Sequence, residues 1–395
     1  KVLWERTVPH TGQGLHELVE ALLEGCESAR VVVAIETPRG AVVETLVERG
    51  IRVFSINPKQ LDRFRDRYTA AGAKDDRRDA FVLADSLRTD AGAFRPVTIG
   101  DPLLIELREL TRLHEDLVRE RGALGNRLGD QLRRYFPQIL ILGSVYIDLW
   151  LWALLDIAPS PARAKKLSVA KVTGILRKHR VRRLTAEQVL EVLAAKPLTV
   201  APGVTEAAVM HVTAIIARLR LVHEQDRECD ARIERVLSAM CESAPEKNEH
   251  RDAKVILSLP GVGALVGATM LVEAHQALQA RDYPTLRALS GVAPVTRATG
   301  KRSGANASIS MRRACNARLR NAVHFWVIAS LSRDQRAKDM YAAMRARGHT
   351  NGRAVRGVAD RLLATLVAML KAGSLYDRDR RRVVHPAPAV TPISP

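Results

Sequence analysis

Aromatic side chains are scarce in this chain of 395 residues: 4 Trp, 6 Tyr and 6 Phe, 4% in all. The chain is rich instead in helix-forming Ala, Leu and Arg, and it is long enough for two or three domains whose cores its 47% hydrophobic residues can fill. Cysteine is also sparse. Cys26, Cys229, Cys241 and Cys315 are scattered and form no CxxC pair, so neither a disulfide framework nor a cysteine zinc site is indicated, which fits a reducing cytoplasm. No apolar run is long enough to span a bilayer. The most apolar stretch, residues 139–155, has Asp148 within it and Asp156 beside it. No secretory signal opens the chain, which starts at Lys1 and not at Met, so an upstream segment outside this sequence is expected.

Negative charge is missing unevenly. The net charge is +19 and the pI about 10.3. Residues 1–95 hold 15 Lys+Arg against 15 Asp+Glu, and residues 96–295 hold 27 against 23. Residues 296–385 hold 20 against 5, which places +15 of the surplus in that stretch. A surplus gathered in one segment is the footprint of a polyanion partner, nucleic acid before a membrane surface.

Residues 1–95 alternate short apolar runs with amphipathic stretches. Strands are expected at 1–8, 31–35 and 51–56, and helices at 14–23, 41–48 and 77–87, an α/β layer domain. From Pro102, leucines at helical spacing (Leu103, Leu107, Leu110, Leu117, Leu124, Leu128, Leu132) predict a long helix ending at Pro137. A second one spans about 209–240 through Ile216, Leu219, Val222, Ile233 and Val236. The two can pair as an antiparallel arm or between subunits, giving a coiled-coil region over 102–245. A small basic helical insertion is expected at 159–202, and it includes Arg177-Lys178-His179-Arg180-Val181-Arg182-Arg183. A further helical domain is expected over 250–375, followed by a disordered Pro-rich tail at 386–395.

Within this frame, Glu36 ends the apolar run 31–35, at the carboxyl end of a strand, where α/β sheets place chemistry. Asp76 and Asp79, in Lys74-Asp75-Asp76-Arg77-Arg78-Asp79-Ala80, are three residues apart at the start of an expected helix and share one face. Three converging carboxylates repel one another unless a hard cation lies between them, and Mg²⁺ suits oxygen-only ligands. The plain alternative is a solvated face on which Asp76 and Asp79 pair with Lys74, Arg77 and Arg78. Leu259-Pro260-Gly261-Val262-Gly263, before a small-residue helix, has the pattern of a helix-hairpin-helix turn, in which Gly261 and Gly263 open backbone amides to a phosphate. An ordinary tight turn between helices is the alternative. Val295-Thr296-Arg297-Ala298-Thr299-Gly300-Lys301-Arg302-Ser303-Gly304 crowds hydroxyls, glycines and cations into one loop. It can present an alcohol nucleophile to a phosphodiester or merely grip one.

Taken in order, Ala-Ile-Glu-Thr-Pro around Glu36, Ile-Asn-Pro at 56–58, Lys-x-Asp-x-x-Asp-Ala at 74–80, Leu-Pro-Gly-Val-Gly at 259–263, Ser-Gly-Val-Ala-Pro at 290–294 and the run 311–322 beginning Met-Arg-Arg-Ala-Cys-Asn resemble the DEDD transposases of the IS110 insertion-sequence family, the bridge-RNA-guided recombinases. The similarity covers about residues 1–375. It implies a RuvC-like (RNase H-like) amino-terminal domain whose four acids hold Mg²⁺, a coiled-coil arm for assembly as a dimer or tetramer, and a carboxyl-terminal domain with a serine that attacks DNA. Glu36, Asp76 and Asp79 match three of the acids, and the first acid belongs to a strand upstream of Lys1. At the nucleophile, where the family has Ser-Gly shortly after Ala-Pro, this chain has Thr299-Gly300. Threonine keeps the hydroxyl but adds a methyl and restricts χ1, and Ser303 is the competing hydroxyl. The resemblance implies strand cleavage and exchange through a hydroxyl–DNA linkage with Mg²⁺ assistance and a structured guide RNA. Arg297, Lys301, Arg302, Arg312 and Arg313 would neutralise phosphates. Two other readings remain open: a metal-only nuclease like a junction resolvase, and a non-catalytic nucleic-acid-binding remnant.

Overall fold

The computed structural model describes residues 5–36, 40–56, 58–68, 76–97, 101–242, 248–297 and 308–377. Two compact units divide the chain, Lys1–Asp101 and Pro102–Pro395.

In the first unit, α1 (Gly12–Leu23) begins where Thr11 Oγ1 accepts the Gly14 amide, an N-cap that satisfies an otherwise orphaned donor. β1 (Val32–Ile35), α2 (Ala41–Glu48) and β2 (Arg52–Ser55) form a strand–helix–strand unit whose strands are parallel, with Val33 opposite Val53. After α3 (Pro58–Arg65) and α4 (Asp76–Thr89), the short β3 (Arg95–Val97) returns antiparallel to β2, giving the order β1-β2-β3. Alternation along the strands divides the interior between two faces. Val33, Ile35, Val53 and Val97 meet Val19, Val43 and Leu46 of α1 and α2 on one face. Ala34 and Phe54 meet Leu61, Val82 and Leu87 of α3 and α4 on the other.

This architecture is the expected α/β layer, with three differences, the first being α3, which lies outside every expected helix. Residues 5–9 form no strand, although a strand was expected over 1–8. The outer edge of β1, with Val32 45% exposed, has no neighbour among the described residues, so residues 5–9 leave an available edge unpaired. β3 was not expected, because three residues with Pro96 at their centre show no period-2 signal. Proline is tolerated there because β3 is an edge strand.

The second unit is built on two long helices, α5 (Pro102–Tyr135) and, after the small helices of the insertion, α10 (Val204–Glu242). They pair within the chain and run antiparallel. Glu106 meets Arg232, the Cys229 thiol donates to the Leu110 carbonyl at 3.4 Å, and Arg121, further along α5, meets Asp226. Leu107, Leu128 and Leu132 are fully buried in the seam with Val212, Ile216 and Leu219. Each buried leucine contributes roughly 2 kcal/mol of transfer free energy.

Between the long helices, α6 (Leu149–Ile157), α7 (Pro161–Ala164), α8 (Val169–Lys178) and α9 (Ala186–Ala194) cap the far end. Ser168 caps α8, and a Thr185/Gln188 capping box starts α9. Tyr135 donates to the Pro159 carbonyl at 2.6 Å, and burial pushes its hydroxyl up to about 12.

The chain continues through α11 (Asn248–Leu257), α12 (Ala264–Glu273), α13 (His275–Gln279) and α14 (Tyr283–Leu289). It then forms the hairpin β4 (Val295–Arg297) and β5 (Ser308–Ser310), followed by α15 (Ala317–Arg333), α16 (Gln335–Ala346) and α17 (Asn351–Ala372). Small residues on α12 let it lie against α5, α10, α11 and α15, and a single hydrophobic core runs through the unit. Among the described residues no helix is long and apolar enough to cross a membrane. The Pro-rich tail at 386–395 lies outside the described residues.

Candidate active site and nucleic-acid interface

Glu36 stands exposed immediately after β1, and α4, which packs against β1, presents Asp76 and Asp79 in its first turn, where the helix dipole favours carboxylates. The donors therefore come from neighbouring elements, but they are not gathered. Among the described residues no three His, Cys, Asp or Glu side chains are close enough together to hold a metal ion. Asp79 is engaged instead by Arg65 on α3. Its Nε and Nη2 donate to the two Asp79 oxygens at 2.6 and 2.8 Å, a bidentate fork, while Nη1 reaches Asp62. The Asp79 hydrogen bonds raise the Arg65 pKa, so this cation stays charged at any accessible pH. Glu36 and Asp76 have no hydrogen bond or ion pair among the described residues. An all-oxygen donor set with two open carboxylates suits a hard divalent cation. Asp79 would join such a set only by releasing Arg65.

The glycine turn separates into two roles. Gly261 is buried with φ +82°, and a β-carbon there would lie 2.6 Å from the Ser330 amide and 2.7 Å from Ser330 Oγ. Trp326 Nε1 and Ser330 Oγ both donate to the Pro260 carbonyl, at 3.1 and 2.8 Å. Gly261 therefore serves close packing of the turn on α15, and a phosphate reading of this turn falls to Gly263, the exposed N-cap of α12.

Thr299, Lys301, Arg302 and Ser303 belong to 298–307, outside the described residues, and of Arg297 only its position at the end of β4 is described. The frame on either side of that segment is well defined. Gly291, at φ +72°, would bring a β-carbon within 2.9 Å of Cys315 Sγ, and the Asn316 amide donates to the Leu289 carbonyl at 2.8 Å. The Ser-Gly turn after α14 and the turn before α15 thus pack back to back.

Asn316 caps α15 by accepting the Leu319 amide and donates to Glu273 at 2.6 Å; Arg318 bonds Glu273 at 3.1 Å and also reaches Glu115 on α5. Arg312, just before this anchor, is half-buried and its Nε has no hydrogen-bond acceptor, while Arg313 is exposed.

Sequence reasoning missed Arg65, Glu273 and Arg318 as members of this arrangement. An N-cap signal was available at Asn316, polar before a helix, but the ion pairs join residues with no sequence proximity.

Residues 1–137 match a family model described as a transposase, of the DEDD IS110 type, and residues 253–342 match one described as the transposase IS116/IS110/IS902 family. A Sinorhizobium fredii protein named as a transposase, y4uE, is 49% identical over 185 residues, 46% of this chain and 52% of its own length, so this chain spans about half of it. A Streptomyces coelicolor protein named as the mini-circle transposase for IS117 is 31% identical over 379 residues, 93% of this chain and 88% of that one. The 43.6 kDa protein of insertion element IS110 from the same organism is 26% identical over 382 residues, covering 95% and 90%. With the IS117 relative 31% identical and matched over 88% of its length, the chain belongs to the IS116/IS110/IS902 family of transposases.

Proposed function

We propose that this chain is the transposase of an insertion sequence, cleaving and exchanging DNA strands through a side-chain hydroxyl, with Mg²⁺ assistance and a structured RNA that selects the DNA. The observation that carries the reading is the placement of the two chemistries. The carboxylates Glu36, Asp76 and Asp79 fall in one matched transposase segment, and the hydroxyl hairpin with Arg312 and Arg313 falls in the other.

Glu36, Asp76 and Asp79 would hold the cation, with Arg65 yielding Asp79 to it. Bound there, Mg²⁺ supplies positive charge to a phosphate. The hydroxyl of Thr299, or of Ser303, loses its proton and forms a bond to phosphorus while the bridging bond to one sugar breaks and that sugar oxygen takes up a proton. The phosphodiester is conserved as a protein–DNA ester, so a new sugar hydroxyl can reverse the step without an external energy source. Arg312, with its buried unbonded Nε, Arg313, Arg297, Lys301 and Arg302 neutralise the non-bridging oxygens.

The test is to trap the adduct on a nicked substrate and map the modified peptide. A link at Thr299, lost in Thr299→Ala and increased in Thr299→Ser, is expected. A link at Ser303 moves the role there, and cleavage without an adduct replaces the mechanism with that of a metal-only nuclease. Strand exchange by purified protein should require added RNA transcribed from the element's flank; exchange on bare DNA removes the guide from the proposal.

A further inference from the structure

Residues 157–186 contain nine Lys or Arg and no Asp or Glu over 30 positions. In the structure they form α7, α8 and their turns at the far end of the long helices, between the two family-matched segments. Such a run would be an ordinary solvated face if acids from neighbouring elements balanced it, but they do not. Among the described residues only Arg183 of this group reaches a carboxylate, that of Asp148, and the nearby Asp156 is taken by Arg220. Among the described residues the remaining cations have no ion-pair partner, and their proximity carries a cost in self-repulsion.

These cations also have a shape. Arg163, Lys166, Lys171, Lys178 and His179 line an open cavity of about 690 Å³ with no acid in its wall. The rest of the wall is apolar, with Ile157, 42% exposed, Leu167 and Ile175. A second cavity of about 480 Å³ shares His179 and continues past Arg180 and Arg182 to Trp150, and the one acid in its wall, Asp148, is paired with Arg183. Burial and the neighbouring Lys178 and Arg220 hold the His179 pKa below the usual imidazole range, so near neutral pH it offers a flat uncharged ring among the cations.

Arg180 adds an independent sign. It ends α8 at φ +54°, the left-handed position that helix ends give to glycine or asparagine. A side chain there costs about 1 kcal/mol, and the fold keeps a cation in that place.

We infer that this helical tip is a binding site for unpaired nucleotides of a single-stranded nucleic acid, with phosphates on Lys166, Lys171 and Lys178 and a base against Ile157, Ile175 and the His179 ring. A duplex offers only a convex backbone with its bases stacked inside, whereas an unpaired nucleotide can enter a concavity and use both the charged and the apolar wall. Single strands occur both in the loops of a structured RNA and in a displaced DNA strand, and the chemistry is common to the two.

The experiment measures fluorescence anisotropy of the full chain with labelled single-stranded RNA, single-stranded DNA of the same sequence and duplex DNA, each about 12 nucleotides long, across a salt series. The combined Lys166→Ala, Lys171→Ala, Lys178→Ala variant should lose about 10-fold or more in single-strand affinity, with the log–log salt slope falling by about 2. Duplex affinity should change less than about 2-fold, and arginine at the same three positions should restore the slope. Ile157→Gln should weaken single-strand binding without changing the slope. A loss confined to the RNA or to the DNA strand supports the site and names its source. Unchanged single-strand affinity in a folded variant overturns it, and so does an equal loss on the duplex. Running the series also in an Asp76→Asn background, where cleavage is blocked, keeps the outcome independent of the strand-exchange reading.

Discussion

The two units of this chain handle charge and packing in opposite ways. The α/β unit is charge-balanced over 1–95, and its interior is split by a three-stranded sheet into two small clusters, each with five buried hydrophobic residues. The helical unit has one continuous core and carries the large cationic surplus, most of it beyond residue 295. A thin sheet with its acids at the strand and helix ends leaves carboxylates open to solvent, where Arg65 can neutralise one of them locally. A thick helical body can hold uncompensated cations because its stability comes from aliphatic burial and does not depend on ion pairing. The cation site and the polyanion contacts proposed above thus fall on bodies able to tolerate their charge.

The comparison is broken most decisively by the acids. Asp76→Asn should lower strand cleavage by about 100-fold or more, with the melting temperature unchanged because Asp76 is exposed. Undiminished cleavage would return the pair to a solvated face.

Next in size is stability. Gly261→Ala forces a side chain onto a positive φ and into Ser330, and should destabilise the helical unit by about 2–3 kcal/mol. Leu46→Ala, which hollows the smaller α/β cluster, should cost at least about 2 kcal/mol. Calorimetry should show each variant moving a different transition; a single transition shifted by both would mean that the units unfold as one.

Smaller effects sharpen the contrast in charge. Replacing Arg312 and Arg313 together by Ala should reduce the salt slope of duplex DNA binding by about 2, one released counterion for each lost phosphate contact. An unchanged slope places the contacts elsewhere on the surface. Smallest is Arg65→Gln, which removes the competitor for Asp79. Mg²⁺ titrated into the protein in a calorimeter should bind several-fold more tightly, about 1 kcal/mol. Weaker binding would instead make Arg65 a support that orients Asp79.

Much of the architecture was local enough to be read without coordinates. Leucines at helical spacing marked α5 and α10 to within a few residues, because the period of a helix is written in consecutive residues. The apolar runs before Glu36 and around Val53 marked β1 and β2 for the same reason. The three-residue strands β3, β4 and β5 are too short to show a period, and their existence depends on the edge each one finds. The strand expected over 1–8 did not form over residues 5–8, where the structure describes it, although the outer edge of β1 has no neighbour among the described residues.

For the site, residue types and the family resemblance named candidates only: the acids Glu36, Asp76 and Asp79, the hydroxyls Thr299 and Ser303, and the arginines around them. Which groups meet was decided by tertiary structure alone. Arg65 finds Asp79 because α3 and α4 lie side by side on one face of the sheet. Asn316 and Arg318 find Glu273 because α12 runs against α15. Gly261 is held to glycine by Ser330, nearly 70 residues away. Directional contacts of this kind depend on where packed elements place two side chains in space, and the sequence of either partner carries no record of the other.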